Sequence, residues 1–148
     1  VIARNYTAGG IIGWMDGNSS ETVIQNCYNT KKVFTGGNIG GINNACDGIK
    51  ITNCYNVGKI TSNFDSAREA GIIGGLNSLA SDKISLENCY YLNSMANVGI
   101  YGYEDINTNV ERMEEKDMKE SSFLDKLGNE FKKDTKNVNN GYPILGWQ

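Results

Sequence analysis

The sequence predicts an all-β protein: a parallel β-helix, or β-solenoid, of about three coils, with a short C-terminal capping helix and a final strand. Three observations lead there. First, Asn-Cys-Tyr recurs at Asn26-Cys27-Tyr28, Asn53-Cys54-Tyr55 and Asn88-Cys89-Tyr90. Second, each copy follows a glycine-rich apolar run: Gly10-Ile11-Ile12-Gly13, Gly37-Asn38-Ile39-Gly40-Gly41 and Gly71-Ile72-Ile73-Gly74-Gly75. From leading glycine to cysteine the offset is nearly constant, so the chain is an internal repeat. Units of this size cannot bury their own apolar face and stack on their neighbours. Third, alignment on the asparagine produces columns. Ile24, Ile51 and Leu86 stand two residues before it, and Thr22, Ile49 and Ile84 four before. Val23, Lys50 and Ser85, then Gln25, Thr52 and Glu87, fill the mostly polar positions between. Period-two alternation with one buried face marks strands. Agreement between units stacks those strands in register, and sequential stacking makes the sheets parallel.

Taken in order, Val1 to Ala8 reads as the tail of a preceding coil, with Val1-Ile2 a short strand. The chain starts without Met and in mid-pattern, so it reads as a piece of a longer polypeptide. Gly10 to Met15 is the first glycine-apolar strand, and Asp16 to Ser20 a turn by composition. Thr22 to Tyr28 and Val33-Phe34-Thr35 follow as strands. The second unit repeats the order: Asn43 to Gly48 a loop, Ile49 to Tyr55 a strand, Lys59-Ile60-Thr61 a short strand. Ser62 to Glu69 is an insertion that projects between coils. The third unit runs from Gly71 through Tyr91 and departs from the pattern after Asn93. The pairs Gly40-Gly41 and Gly74-Gly75 mark a bend or close backbone approach, one per coil, and so a corner.

Residues 101–148 differ in texture. Glu104 to Glu120 carries charges of both signs. Asp117 and Glu120 have capping-box spacing. Phe123, Leu124 and Leu127 follow at helical spacing, and Gly128 is a C-terminal stop. This predicts a helix over about 117–128. Tyr142 to Trp147 is a last strand, with Pro143 tolerable only at an edge. Helix and strand are expected to cap the last coil and to bury Phe123, Leu127 and Trp147, while the amino-terminal edge stays open for further repeats of the parent chain. The organisation is then residues 1–100 as repeats (about 9–35, 36–69 and 70–95, after a tail at 1–8) and residues 101–148 as a capping segment.

Composition excludes several classes. There is no histidine, which removes the Ser-His-Asp and Cys-His triads and imidazole zinc sites. A net charge of −3 with no basic stripe excludes nucleic acid as partner. No apolar run reaches the length of a membrane span. Three of the four cysteines occupy equivalent positions, with Cys46 outside the pattern. They read as one buried thiol per coil and not as two disulfides, because in-register side chains point the same way.

The stretch Asn53-Cys54-Tyr55-Asn56-Val57-Gly58-Lys59-Ile60, with the glycine-rich segment before it, resembles the GLUG repeat family. The first unit departs at Lys31, where the pattern has glycine. The third departs at Tyr91 and Ser94. The resemblance covers about residues 9 to 95, and Phe131 to Gln148 resembles the segment that often ends such arrays. It implies a β-solenoid segment of a large bacterial cell-surface or secreted protein, extracellular, meeting a host or cell-wall glycan or a protein. Some members are metallopeptidases, but no His-Glu-x-x-His motif is present, so no peptidase activity carries over.

Candidate sites are few. Asn26, Asn53 and Asn88 form one amide ladder, and Asn29 with Asn56 a second, both with a structural role. Tyr28, Tyr55 and Tyr90 form a column. Strict alternation from Ile51 puts Tyr55 inside and Cys54 outside, whereas a corner at Asn53 buries Cys54 and turns the tyrosines outward. Outward, they are the candidate ligand-binding stripe, able to stack on sugar rings or a protein. Asp16, Asp47, Asp65 and Asp82 lie in non-equivalent loops as turn residues, and no metal site, catalytic residue or cofactor is implied. Lys31-Lys32 and Lys132-Lys133 read as solvated. The expectation is a non-catalytic stalk or adhesion module. The alternative is a β-helix carbohydrate-active enzyme, a polysaccharide lyase or glycosidase, or a carbohydrate-binding module; the enzyme would need paired carboxylates in a groove.

Overall fold

The computed structural model describes residues 1–3, 7–14, 22–46, 49–76, 84–101 and 110–148. The chain is mostly strand. Within residues 1–113 every strand pairing is parallel.

The largest sheet holds β3 (Thr22–Asn29), β7 (Ile49–Asn56), β11 (Ile84–Leu92) and β12 (Val110–Met113), in the order β12-β11-β7-β3. Its register is the one the columns require: Ile24 on Ile51 on Leu86, Cys27 on Cys54 on Cys89, Tyr28 on Tyr55 on Tyr90. Short strands form the other sheets. β1 (Ile2–Ala3), β4 (Val33–Thr35) and β8 (Ile60–Ser62) make one, and β2 (Ala8–Gly9), β5 (Ile39–Gly40) and β9 (Glu69–Ala70) another. β6 (Asn43–Cys46) pairs with β10 (Ile73–Leu76), and single bridges continue that sheet from Asn43 to Ile12 and from Ile73 to Ile100. Each repeat therefore visits the same sheets in the same order. β1, β2 and β3 each pair on one side only, all at the same end.

Two devices turn the chain between strands. Asn26, Asn53 and Asn88 have φ of 53°, 52° and 51° in mid-strand. Asparagine tolerates this left-handed conformation better than most residues. The residue steps out of the pairing register, which resumes at the cysteines. Alternation thus shifts by one, and Cys54 and Cys89 join Ile24, Ile51 and Leu86 in one buried cluster. Of the two readings of the column, the corner at Asn53 is the one present. The second device is the glycine corner. A Cβ at Gly40 would collide with the Asn43 carbonyl, and one at Gly41 with the Asn56 amide and the Gly71 carbonyl.

The pairing revises the glycine alignment. Gly9 pairs with Gly40 and Gly40 with Ala70, so Gly10 corresponds to Gly41 and not to Gly37. Gly74-Gly75 lies one sheet further on, beside Asn44 and Ala45. The near-constant glycine-to-cysteine offset therefore mixed two positions, and differing lengths before the long strands absorb the mismatch. Asn43 to Gly48, expected as a loop, contains β6. The Asp16 to Ser20 turn lies outside the described residues, as do Met15 and Gly48. The insertion projects as expected: Asn63 to Ser66 are exposed between β8 and β9.

The repeat also continues one step beyond Asn93. Gly71 and Ile72 donate to the carbonyls of Val98 and Gly99, and Tyr101 donates to that of Ile73. β12 then adds to β11, Cys89 on Val110 and Leu92 on Met113. A degenerate fourth unit, and not the helix, covers the edge of β11.

The C-terminal segment has two helices where one was expected, α1 (Glu115–Met118) and α2 (Ser121–Leu127). Asp117 lies inside α1, and Glu120 precedes α2 without a side-chain cap, so the capping box does not form. Gly128 ends α2 at φ 94°, as expected. β13 (Phe131–Lys132) and β14 (Ile144–Leu145) make an antiparallel pair, with Pro143 just before β14. Phe123 and Leu127 are buried, but Trp147 is 82% exposed, contrary to expectation. Strand β14 ends at Leu145, so nothing continues the pairing to Trp147.

Candidate functional site

The left-handed asparagine puts the cysteine on the isoleucine side of the long sheet, and ordinary alternation then puts the tyrosine on the opposite face. The tyrosine column therefore faces away from the isoleucine core, which is the condition under which it was a candidate binding stripe. Tyr28 and Tyr55 stack with ring centroids 5.1 Å apart and planes 6° from parallel. The column is covered. Phe123 of α2 stands edge-on to Tyr55 at 5.9 Å and to Tyr90 at 5.0 Å, and Phe131 of β13 leans on Tyr28 and Tyr55. Met118, Leu127 and Tyr142 complete this second cluster. As a result Tyr55 is 0% exposed and Tyr90 5%, with Tyr28 partly buried. The amphipathic spacing that predicted the helix finds its apolar partner on this face, and not over the open end of the array.

Polar contacts hold the cover in register. The Tyr55 hydroxyl donates to the Pro143 carbonyl and accepts from Asn139 Nδ2 at 2.8 Å. Asn139 Nδ2 also donates to the Pro143 carbonyl at 3.1 Å. The Tyr28 hydroxyl donates to Gln148 Oε1 at 2.7 Å. Behind Asn139, the Asp134 carboxylate accepts from the backbone N–H of Val138, Asn139 and Gly141 at 2.7 to 3.1 Å. Burial acts to raise this carboxyl, but the N–H donors outweigh it and hold it below the usual carboxylate range. Burial pushes the Tyr55 phenol up, and pushes Tyr90 and Tyr142 up to about 12.

The asparagine ladders form as the sequence suggested. Asn88 Nδ2 donates to Asn53 Oδ1 at 3.0 Å, and Asn53 Nδ2 to Asn26 Oδ1 at 3.2 Å. In the second ladder Asn29 Nδ2 donates to Asn56 Oδ1 at 2.8 Å. Both Asn29 and Asn56 also close the turn that follows them, through Lys31 and Gly58. These amides are spent on the fold.

The cysteines run along the core side. Cys27, Cys54 and Cys89 are free thiols, with Cys54 and Cys89 buried and Cys27 half-exposed. Cys54 Sγ reaches the carbonyl of Ile24 in the preceding repeat, and Cys89 Sγ that of Ile51. Cys27, on the edge strand, donates to the Gln25 carbonyl of its own strand at 3.1 Å. Contact with the Cys54 thiol brings Cys27 down to about 7. The same contact, with burial, pushes Cys54 up, and burial pushes Cys89 up to about 12. The side chain of Cys46 lies outside the described residues.

Asp65 sits exposed on the projecting insertion, and Asp16, Asp47 and Asp82 lie outside the described residues. A cavity of about 400 Å³ is lined by Asn93, Glu111, Arg112, Met113, Glu114 and Asp117. Glu111 pairs with Lys126 there at 2.9 Å, Glu114 accepts from Asn93, and Arg112 donates to the Asn93 carbonyl. These contacts tie β12 to its neighbours. Among the described residues no group of three or more Cys, Asp or Glu is placed to hold a metal ion. Lys31, Lys32, Lys132 and Lys133 are exposed. No described helix is long and apolar enough to cross a membrane.

Sequence reasoning missed three features here: the fourth unit, the seat of the C-terminal segment, and the buried pair Asn43 and Asn44. The fourth unit had a signal in Val98-Gly99-Ile100 and in Asn109-Val110-Glu111, which echo the glycine-apolar and Asn-Cys-Tyr segments. Compared with protein-family models, curated proteins and solved structures, the chain matches none.

Proposed function

We propose that the parallel sheets are the walls of a β-solenoid of GLUG-repeat type. The chain then acts as a non-catalytic stalk or adhesion module of a larger bacterial cell-surface or secreted protein. One observation carries this reading: the first three repeats return to the same sheets in register, cysteine on cysteine and tyrosine on tyrosine, with their asparagines joined by amide bonds. In such an assembly each added unit contributes length and a fresh copy of the same outer surface. The module therefore sets distance and displays a repeated face. Its invariant columns are occupied by core, ladder and cover contacts. What remains for a partner, a glycan or a protein, is the solvent side: Val23, Gln25, Ser85 and Glu87 on the long strands, and the projecting Asn63 to Ser66 insertion.

The test pairs binding with turnover. The purified chain is applied to an array of host and bacterial cell-wall glycans and to immobilised cells. In parallel it is incubated with a panel of polysaccharides while reducing ends and unsaturated products are followed. Binding or plain inertness with no product fits a stalk or adhesion module. Sustained product formation that survives repurification would replace it with the carbohydrate-enzyme reading.

A further inference from the structure

The loop that seats the C-terminal segment contains the one Asn-Gly step in the sequence, Asn140-Gly141. Asn139 to Tyr142 form a tight turn, closed by the Tyr142 N–H, which donates to the Asn139 carbonyl at 3.1 Å. Asn140 at φ 54° and Gly141 at φ 83° hold its two central positions. Two successive positive φ values of this size make a type I′ turn, for which Asn-Gly is a favoured pair. The end residues Asn139 and Tyr142 are buried, while the Asn140 side chain is exposed. Asn-Gly is also the step at which a backbone nitrogen most freely reaches the side chain before it, because glycine has no Cβ in the way.

We propose that Asn140 is a latent self-modification site: the Asp134 cradle holds it closed, and once the loop opens it converts to isoaspartate, which releases the C-terminal segment from the tyrosine column. In the first step the Gly141 backbone nitrogen gives up its proton and attacks Asn140 Cγ. The N–Cγ bond forms, the Cγ–Nδ2 bond breaks, and ammonia leaves with the proton. In the second step water opens the resulting five-membered imide at either carbonyl. Opening at Cγ gives aspartate; opening at the backbone carbonyl gives isoaspartate. Asparagine and one water thus give an acid and one ammonia.

Two features of the folded turn oppose the first step. A type I′ turn sets ψ of its first central residue to about +30°. That puts the Gly141 nitrogen nearly anti to the Asn140 Cβ, whereas ring closure needs the two nearly eclipsed. The Gly141 N–H also donates to Asp134 Oδ2 at 3.1 Å. The carboxylate favours the N–H form, and its negative charge opposes the amidate anion that must attack. Reaction therefore runs through local opening of the loop. The product cannot simply close again. In isoaspartate the main chain runs through Cβ and Cγ, one atom longer, and that atom lies between the Asn139 carbonyl and the Gly141 N–H. It displaces both the turn bond and the Asp134 bond, and it adds a negative charge to the Asp134 loop. Asn139, the preceding residue, carries the Tyr55 and Pro143 contacts that seat the segment.

The experiment incubates the full reduced chain in mildly alkaline buffer, native or unfolded in guanidinium chloride. Position 140 is followed by peptide mapping and by an isoaspartate-specific methyltransferase. The native parent should convert at least about tenfold more slowly than the unfolded chain. Asp134→Ala, shown to fold by its denaturation transition, should convert at least about threefold faster than the native parent. Asp134→Asn, which sheds the charge and one acceptor oxygen, takes its place where the alanine variant does not fold. The purified isoaspartate form should melt below the parent and bind a hydrophobic dye, whereas Asn140→Asp, with an ordinary backbone, should melt with the parent. Equal rates in the native and unfolded parent, a folded Asp134 variant no faster than the parent, or an isoaspartate form that melts as the parent does would each overturn the proposal.

Discussion

At the scale of single residues, asparagine serves two opposed ends. Asn53 needs a left-handed backbone and spends both ends of its amide in the ladder, donating to Asn26 and accepting from Asn88. Asn53→Ala loses both bonds and keeps a Cβ in a region that costs L-residues about 1–2 kcal/mol, so a destabilisation of about 2–4 kcal/mol is expected. Asn53→Gly loses the same bonds but tolerates the backbone, and should cost at least about 1 kcal/mol less. Urea denaturation ranks the two; equal losses would mean that the conformation is not what asparagine supplies. Asn43 is the reverse case. It stands in register between Ile12 and Ile73, fully buried, and neither end of its amide finds a partner among the described residues. An unmet buried amide costs about 1–3 kcal/mol. Asn43→Val, β-branched and nearly its size, should therefore raise stability by about 1 kcal/mol in the same assay, and a fall would show that the amide is satisfied. The Asn-Cys-Tyr ladder was legible because its polarity recurs at one position in every unit. Asn43-Asn44 was not: two adjacent asparagines have the composition of a turn, and only the pairing of β6 with β10 reveals a strand.

At the scale of elements, the long strands and the short strands after them were readable; the glycine-rich segments, where β2 lies at Ala8–Gly9 and not at Gly10 to Met15, and elements with a unique neighbour were not. β3, β4, β7 and β8 fall within a residue of their expected spans, because the same pattern is written in successive units. The helical spacing around Phe123 was also visible, but periodicity says which face of a helix is apolar and not which surface will receive it. The surface that receives α2 is the tyrosine column, joined through Tyr55, Asn139 and Pro143. Tyr55→Phe keeps the ring contacts with Phe123 and Phe131 and removes the hydroxyl, leaving Asn139 and Pro143 to bond each other. A loss of about 1–2 kcal/mol is expected by thermal or chemical denaturation, and no loss would mean that the rings alone seat the segment. The Asp134 loop behind it makes the join sensitive to acid. Its folded carboxyl lies below the ordinary range, so its stabilisation is complete above the unfolded aspartate value near 3.9 and drains away as pH falls through the lower folded value. The stability difference between the parent and Asp134→Asn should accordingly be constant from pH 7 to about 5 and shrink below about pH 4. A difference that grew on acidification would reverse the sign and refute the N–H cradle as its source.

At the scale of the whole molecule, two kinds of contact compete to set cooperativity. Stacked repeats interact with their neighbours alone, and stability then approximates a sum over units and interfaces. The C-terminal segment breaks that locality, because it touches Tyr28, Tyr55 and Tyr90, one residue from each of three units. The register tells which deletion respects both. Removing residues 28–54 joins Cys27 to Tyr55, and these flank a join between equivalent positions of β3 and β7. The result keeps two complete long strands, the β3–β7 hybrid and β11, retains Tyr55 and Tyr90 for Phe123 to sit on, and preserves the Tyr55–Asn139–Pro143 contacts. It should fold as a shorter copy with one cooperative transition, a lower midpoint, and a denaturant m-value reduced in proportion to the buried surface removed. Removing residues 115–148 instead strips the cover from Tyr55, Val57, Tyr90 and Leu92, all buried in the intact chain. An exposed apolar face of that kind should bind a hydrophobic dye and drive association. Size-exclusion chromatography and urea titration of the two variants separate the outcomes. If the 28–54 deletion is unfolded while the 115–148 deletion stays monomeric and melts as before, the repeats are not interchangeable and the tyrosine face does not organise the C-terminal third.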